Sequence, residues 1–438
     1  MKKTFISIGL AAVGAAGIQS IDAQTSVQPT GTPTMDTGIS PKTWNVAANL
    51  RGFYDDNYAV AHNKTGSFGI ELTPSISANV AMQQTDVGAK YTFGMYYYQQ
   101  RQDSGIDALD YTHQGDLWLD HSFNERQKLT IADSLVIGQD PQLVQGGAVI
   151  RVNGDNLNNT ATVTLNSEWT RLFSTATHYG NTLVDYNNSA ASATNSPSYA
   201  ALLNRIQQDV GIDFQWAFQP ETIGFIGYDF TWLDYTGNAQ IAPTAIIPPH
   251  PNPIVYKSDS RNYYTHYAYL GLTKTFSPNL SGSFRVGASL TDLYNDPVSK
   301  ENTVSPYANI NVTYTYLPGC YVQLGFTQNQ NVTDISAVGS NGQLTQYQES
   351  SSVYLDLNHQ ITSKLSGSLV GSYQHSTFQD GQYNNISENT VSAGIHFDYR
   401  INRHFSANAG YDFSELLSTV NQRGNSRNVV YLGLGANY

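Results

Sequence analysis

The chain is 438 residues long and carries 34 acidic against 22 basic side chains, a formal net charge of −12. That balance argues against nucleic acid as a partner, because phosphates demand clustered Lys and Arg. Charged residues make up only 13% of the chain, about half of the usual ~25%. Their place is taken by 30 Tyr and 36 Gly, and a single cysteine excludes an internal disulfide.

The chain opens on Met1-Lys2-Lys3, a positive start, followed by apolar and small residues from Thr4 to Ile18. Ile21-Asp22-Ala23 then offers a cleavage site before Gln24. This predicts a signal peptide over 1–23, too short to span a bilayer. Its removal takes Lys2, Lys3 and Asp22, leaving 33 acidic and 20 basic residues and a net charge of −13. Residues 24–43, rich in Thr, Pro, Gly and Ser, predict a flexible periplasmic lead-in. Beyond the leader no 18 apolar residues run together, so no transmembrane helix is expected.

From Trp44 onward alternating runs recur, and they predict an all-β protein, a transmembrane antiparallel β-barrel over 44–438. In Val391 to Ile401, Val391, Ala393, Ile395, Phe397, Tyr399 and Ile401 alternate with Ser392, Gly394, His396, Asp398 and Arg400. Period two with one apolar and one polar face is the pattern of a strand between lipid and water. Eighteen strands are predicted: 44–54, 66–80, 86–100, 111–122, 128–138, 158–170, 173–187, 204–218, 222–235, 261–276, 280–293, 303–317, 321–331, 346–361, 365–378, 387–402, 405–416 and 427–438. Sixteen is the competing count, with the alternation weakest in the first two strands and around 158–187.

Short turns such as Gln219-Pro220-Glu221, Ser277-Pro278-Asn279 and Asn402-Arg403-His404 alternate with longer Asn-, Gly-, Ser- and Asp-rich loops. That asymmetry predicts tight periplasmic turns and long extracellular loops. Pro197 to Ile206 reads either as a short helix capped by Ser198 or as an early start to the next strand. The proline-rich loop 236–260 is expected to cap the barrel or fold into its lumen. Cys320, in Leu317-Pro318-Gly319-Cys320, reads as an unpaired turn thiol.

At the C-terminus, Val430, Leu432, Leu434, Ala436 and Tyr438 share one face, while Tyr431, Gly433, Gly435 and Asn437 share the other. A final strand ending on an aromatic residue predicts an assembly signal, Val430, Leu432, Leu434, Ala436 and Tyr438, read by the barrel assembly machinery while those side chains face outer-membrane lipid. By the same alternation Lys90, Asp116, Asp120, Glu168, Asp213, Arg285, Asp356, His396, Asp398, Arg400 and Asp412 are predicted to face the lumen. The acidic members outnumber the basic ones, which leans toward cations unless opposite charges pair and cancel. Tyrosines near strand ends, including Tyr263, Tyr264, Tyr314 and Tyr316, suit interfacial girdles, whereas Tyr96 and Tyr98 should point inward.

No HExxH, Cys/His cluster or GxSxG is present, and no cofactor or metal site is predicted. His396, Asp398 and Arg400 share a wet face, and a hydrogen-bonded network is preferred there over proton transfer or metal binding. The protein is therefore not expected to be an enzyme.

The stretch from Tyr97 to Arg101 through Asp110-Tyr111-Thr112-His113, Leu117-Trp118-Leu119-Asp120-His121-Ser122-Phe123, Leu129 and Asp133-Ser134 to Pro141 resembles the "putative beta-barrel porin 2" family of Gram-negative outer-membrane proteins. The hairpin segments Tyr269 to Leu272 and Leu280 to Ser283 are similar to it too. The resemblance covers about 44–438 and implies an outer-membrane barrel, with some members linked to exopolysaccharide export. It transfers no site residues. The leading expectation is a porin-like channel for passive or weakly selective passage of small solutes. An accessory barrel in polysaccharide export is the alternative, and an outer-membrane enzyme stands third.

Overall fold

The computed structural model describes residues 43–103, 107–138, 143–144, 148–149, 156–187, 197–244, 253–298 and 302–438. The predicted signal peptide and residues 24–42 of the lead-in lie outside them. Eighteen strands form one closed antiparallel sheet. They are β1 (Trp44–Asp55), β2 (Ser67–Ala81), β3 (Thr85–Tyr98), β4 (Leu109–Asn124), β5 (Gln127–Gly138), β6 (Asn156–Glu168), β7 (Phe173–Tyr186), β8 (Arg205–Gln219) and β9 (Thr222–Tyr235). The ring continues with β10 (Tyr263–Ser277), β11 (Leu280–Asp292), β12 (Thr303–Leu317), β13 (Cys320–Val332), β14 (Tyr347–Gln360), β15 (Leu365–Gln379), β16 (Ser387–Arg400), β17 (Phe405–Ser418) and β18 (Asn425–Asn437).

Each strand pairs with its sequence neighbours, and the ring closes where β1 meets β18, from Ala47↔Asn437 to Asp55↔Val429. Closure removes both free edges, so the strands pair with one another around the whole ring without help from water. At the seam Tyr438 donates its backbone N–H to Val46 O at 2.9 Å, and its ring lies 5.9 Å from that of Trp44.

Apolar residues point out and polar ones point in. On β18 Leu432 is 70% exposed while Tyr431 is 8% exposed. Such a surface is stable only where the outer wall meets hydrocarbon. The eighteen predicted strands all form, with ends moved by a few residues for local reasons. β6 stops at Glu168 because the amides of Trp169 and Thr170 both bond back to Phe173 O at 3.1 Å. β10 begins only at Tyr263 because Ser258–Arg261 coil into a 3₁₀ turn.

The short connections lie at the end of the barrel that holds Trp44 and Asn437. At one of them Pro318 and Gly319 form the turn, with Gly319 at φ +76°, a conformation open to glycine. The next residue, Cys320, starts β13 and is buried, its sulfur accepting the Gln360 N–H at 3.2 Å. It is therefore a packed strand residue rather than a turn thiol.

At the opposite end the longer connections fold over the mouth. Tyr199–Leu203 is a helix, α2 in chain order after α1 (Gln99–Asp103), with Ser198 capping it by accepting from the Ala201 N–H. β8 starts immediately afterwards at Arg205, so the segment is a helix and a strand start in succession. Leu202 and Leu203 join Ile241, Ala242, Ile254, Tyr256 and Leu344 in an apolar cluster drawn from three loops. Arg261 is buried beside it, donating to Leu202 O and to Thr333 O (2.8 Å) under the ring of Tyr235. Eighteen strands at normal spacing and tilt give a diameter of roughly 35 Å. The loops after β7 and β13 sit six strands apart on that ring, so their contact requires them to reach across the opening. The proline-rich loop's described part, including Ile241 and Tyr256, joins this cap.

Candidate functional site: the inward wall

The inward face is built by alternation alone, so each charge on it is fixed by its parity within a strand. On β8 to β11 the wall concentrates carboxylates. Asp213 and Arg285 pair at 3.2 Å, and the Tyr269 hydroxyl donates to Asp213 (2.8 Å) and to Asp229 (3.2 Å). His178 on β7 reaches Asp229 at 3.3 Å, while Gln207 and Thr231 donate to Asp209. The Arg285 guanidinium also lies over the rings of Phe225 (5.2 Å) and Tyr269 (5.7 Å). Asp209, Asp213 and Asp229 share this wall with Arg285, Arg205 and His178.

A second group straddles the closing seam. The Arg51 guanidinium donates to Asn408 at 3.1 Å, lies 3.8 Å from Glu71, and covers the Tyr431 ring at 4.5 Å. His396 Nε2 meets Asp412 Oδ1 at 2.7 Å, and Ser368 lies 3.4 Å from its other ring nitrogen. His396 is thus held by Asp412 on the next strand rather than by its sequence neighbour Asp398. Arg400 turns to the short-turn end and donates to Ser363 O at 2.7 Å. His396, Asp398 and Arg400 therefore do not converge into one reactive centre, and no set of three or more metal-ligating side chains occurs among the described residues.

The remaining predicted residues sit on a different arc. Asp116 accepts from Gln114 (3.1 Å) and Ser134 (2.7 Å), and Asp120 accepts from Thr130 (2.6 Å) with Lys128 at 3.3 Å. Lys90 stands opposite Asp116 in the β3–β4 register and is exposed. Glu168 ends β6 and is also exposed, while Asp356 accepts from the Tyr321 hydroxyl at 3.1 Å. Opposite charges cancel at Asp213–Arg285 but not along the whole set.

Filling of the interior is unequal. Toward the long-loop end, Gln207, Asp209, Thr231, Thr265, Ser289, Thr291, Ser305 and Ser350 are all buried. On β3 to β6 the inward residues Lys90 and Thr160 are exposed and Gln114, Asp116 and Asn158 are partly so.

Several inward charges were missed in the sequence, among them Arg51, Glu71, Asp209 and Asp229. Parity could have found them: Arg51 alternates with Leu50, and Asp229 with Tyr228. Tyr263, expected in a girdle, is buried inward beside Tyr235 and Leu233, whereas Tyr264 faces out and stacks on Tyr294 at 4.4 Å. Period two sends neighbouring residues to opposite faces, so both could not serve the girdle.

Outside the strands, Arg423 in the β17–β18 loop donates two bonds to Asp334 (2.6 and 2.7 Å) and one to Glu388 (2.6 Å). Burial alone would lower its pKa, but the two carboxylates outweigh it and hold the guanidinium above its ordinary range.

No curated protein matches the chain. Among solved structures, OpdK from Pseudomonas aeruginosa with vanillate shares 12% identity at a TM-score of 0.47, covering 90% of this chain and 99% of that one. OccAB3 from Acinetobacter baumannii shares 11% at 0.44, with 90% and 99% covered. The siderophore receptor PirA from Acinetobacter baumannii shares 7% at 0.45, with 92% and 81% covered. The sequence profile of one family matches residues 43–438, and the chain belongs to that family, described as "putative beta-barrel porin 2".

Proposed function

We propose that the protein is an outer-membrane channel that passes small solutes passively, with a weak preference for cations, along an off-centre path beside β3 to β6. The unequal filling of the interior carries this reading. Inward polar groups of β8 to β14 are covered toward the cap, whereas Lys90, Thr160, Asp116 and Asn158 keep contact with the space inside. Inward Asp86, Asp116, Asp120 and Glu168 outnumber Lys90 and Lys128 along this strip, a small excess that attracts cations and repels anions without binding either tightly.

The short-turn end faces the periplasm in this reading, and residues 1–23 are removed on export. Val430, Leu432, Leu434, Ala436 and Tyr438 form the assembly signal. Conductance of the purified protein in planar bilayers tests the function. Steady channels whose reversal potential in a salt gradient favours cations are expected. Closed barrels, or channels that prefer anions, would sink the proposal, and passage restricted to acidic polysaccharide would move the function to the export alternative.

A further inference from the structure

The outward wall is apolar around most of the ring, and one place breaks the rule. On β5 the outward residues are Leu129, Ile131, Asp133, Leu135 and Ile137. Asp133 stands opposite Leu117, which is exposed, while Thr130 and Ser134 on the inward face of the same strand bond Asp120 and Asp116. Its carboxylate accepts from Asn159 Nδ2 at 2.9 Å, on the same outward face of β6.

The depth of Asp133 follows from the register. Leu129 pairs with His121, and Ile137 pairs with His113. His121 packs on Phe123 at 4.6 Å, while His113 packs on Phe93 at 5.3 Å and bonds the Tyr91 hydroxyl at 2.7 Å. These aromatic groups flank Asp133 on both sides, their levels lying four residues from it in either direction along β5. The other charges at outward strand positions among the described residues, Asp185, Asp234, Lys274, Asp292, Glu349 and Glu415, sit within three residues of a strand end. Among the described residues only Asp133 would hold a carboxylate at mid-bilayer depth, where lipid offers it no donor.

Its surroundings are polar as well. Asp133 is opposite Ala161, Ala161 opposite Asn181, and Asn181 opposite Gln208, an outward stripe across β5 to β8. A side chain placed on Gly115, beside Leu135, would meet nothing within 4 Å, so a neighbour's backbone has room to approach there. By contrast, the outward positions of β11 and β12 read Phe284, Val286, Ile310 and Val312.

We propose that this stripe is a contact surface for a second copy of the same chain. The Asn159 amide of the same wall serves one carboxylate oxygen, and the charge at that depth calls for further N–H donors. Among the described residues no outward cation stands at that level to supply them, but Asn181 and Gln208 of a second copy do. Paired about a two-fold axis, the stripe meets itself, each Asp133 facing the other copy's carboxamides. Small Gly115 and Ala161 let the two walls come close. The inference needs only a barrel in a bilayer, not one that conducts.

Cysteine cross-linking in outer-membrane vesicles tests it, in a Cys320→Ser background. Ala161→Cys should give an oxidised dimer of twice the mass, while Ile310→Cys on another wall should stay monomeric. Adding Asp133→Leu, or the volume-conserving Asp133→Asn, should lower the cross-linked fraction about tenfold, with heat-modifiable migration confirming that the barrel has folded. Absence of the Ala161→Cys dimer, equal cross-linking at Ile310, a cross-link to a different protein, or no effect of either Asp133 variant each overturns the proposal. Conductance from the same vesicles reports on the channel separately.

Discussion

Replacing Arg423 with Ala removes the cation that ties three elements of the long-loop end together. The guanidinium forks onto Asp334 through two bonds of 2.6 and 2.7 Å and reaches Glu388 at 2.6 Å, with all three side chains at most 14% exposed. Its loss leaves two carboxylates facing each other without a cation, a change that costs about 3–5 kcal/mol for a buried pair. The apolar cluster around Leu203, Leu344 and Tyr256 is untouched, so the cost falls on the loop carrying Asp334 rather than on the barrel. Opening of residues 333–346 should become roughly a hundred- to several-thousandfold more frequent. Hydrogen exchange reads this directly at the Thr345 amide, which bonds Ala337 O at 3.0 Å. Arg423→Lys keeps the charge but not the fork and should fall between. Unchanged exchange at Thr345 in Arg423→Ala, with the strands equally protected, would refute the reasoning and assign the cap's order to apolar packing alone.

Deleting Tyr438 removes the Trp44 contact and the Val46 bond at the seam, and with them the last residue of the proposed assembly signal; insertion, read by heat-modifiable migration of the outer-membrane fraction, should drop while inserted barrels keep normal conductance. Changing Asp116 and Asp120 together to Asn should move the reversal potential toward non-selectivity, and an unchanged potential would place the path elsewhere. Gly271→Val would bring a side chain to within 2.0 Å of the Phe225 ring and should destabilise the barrel by about 1–3 kcal/mol, seen as a lower urea midpoint. At Asp56, burial alone would raise the pKa, but hydrogen bonds from Lys64 and Asn428 outweigh it and lower it below 3.8. A lowered folded-state pKa contributes stability that is present above the unfolded value and lost as pH falls through the folded one. Exchange of the Asn428 amide, bonded to Asp56 at 2.6 Å, should therefore accelerate relative to neighbouring amides only below about pH 4.

Period two is a local property, and so are turn residues; both are written in consecutive letters. The chain therefore announced eighteen strands, their outward faces and the sorting of short and long connections. It also announced the face of Val430, Leu432 and Leu434, because each residue's parity is set by its immediate neighbours. The misplacement of Tyr263 came from judging a residue by its distance from the strand end without applying that parity. Asp133 was legible in the same way, sharing the outward parity of Leu129, Ile131, Leu135 and Ile137.

What only the tertiary structure decided is which residues meet. Arg51 binds Asn408 across 357 positions, a pairing that exists only because the first and last strands close the ring. His396 takes Asp412 rather than Asp398 because the residue directly across from it is Gly410, which has no side chain, so the ring leans diagonally onto Asp412. Asp133 lies at mid-depth because the register of β4 against β5 fixes how far His121 and His113 stand from it. The sequence by itself determined what each strand presents to lipid and to water. Closure and register, which depend on backbone pairing between distant segments, decided where the charges meet, what the loops cover and which wall is left polar.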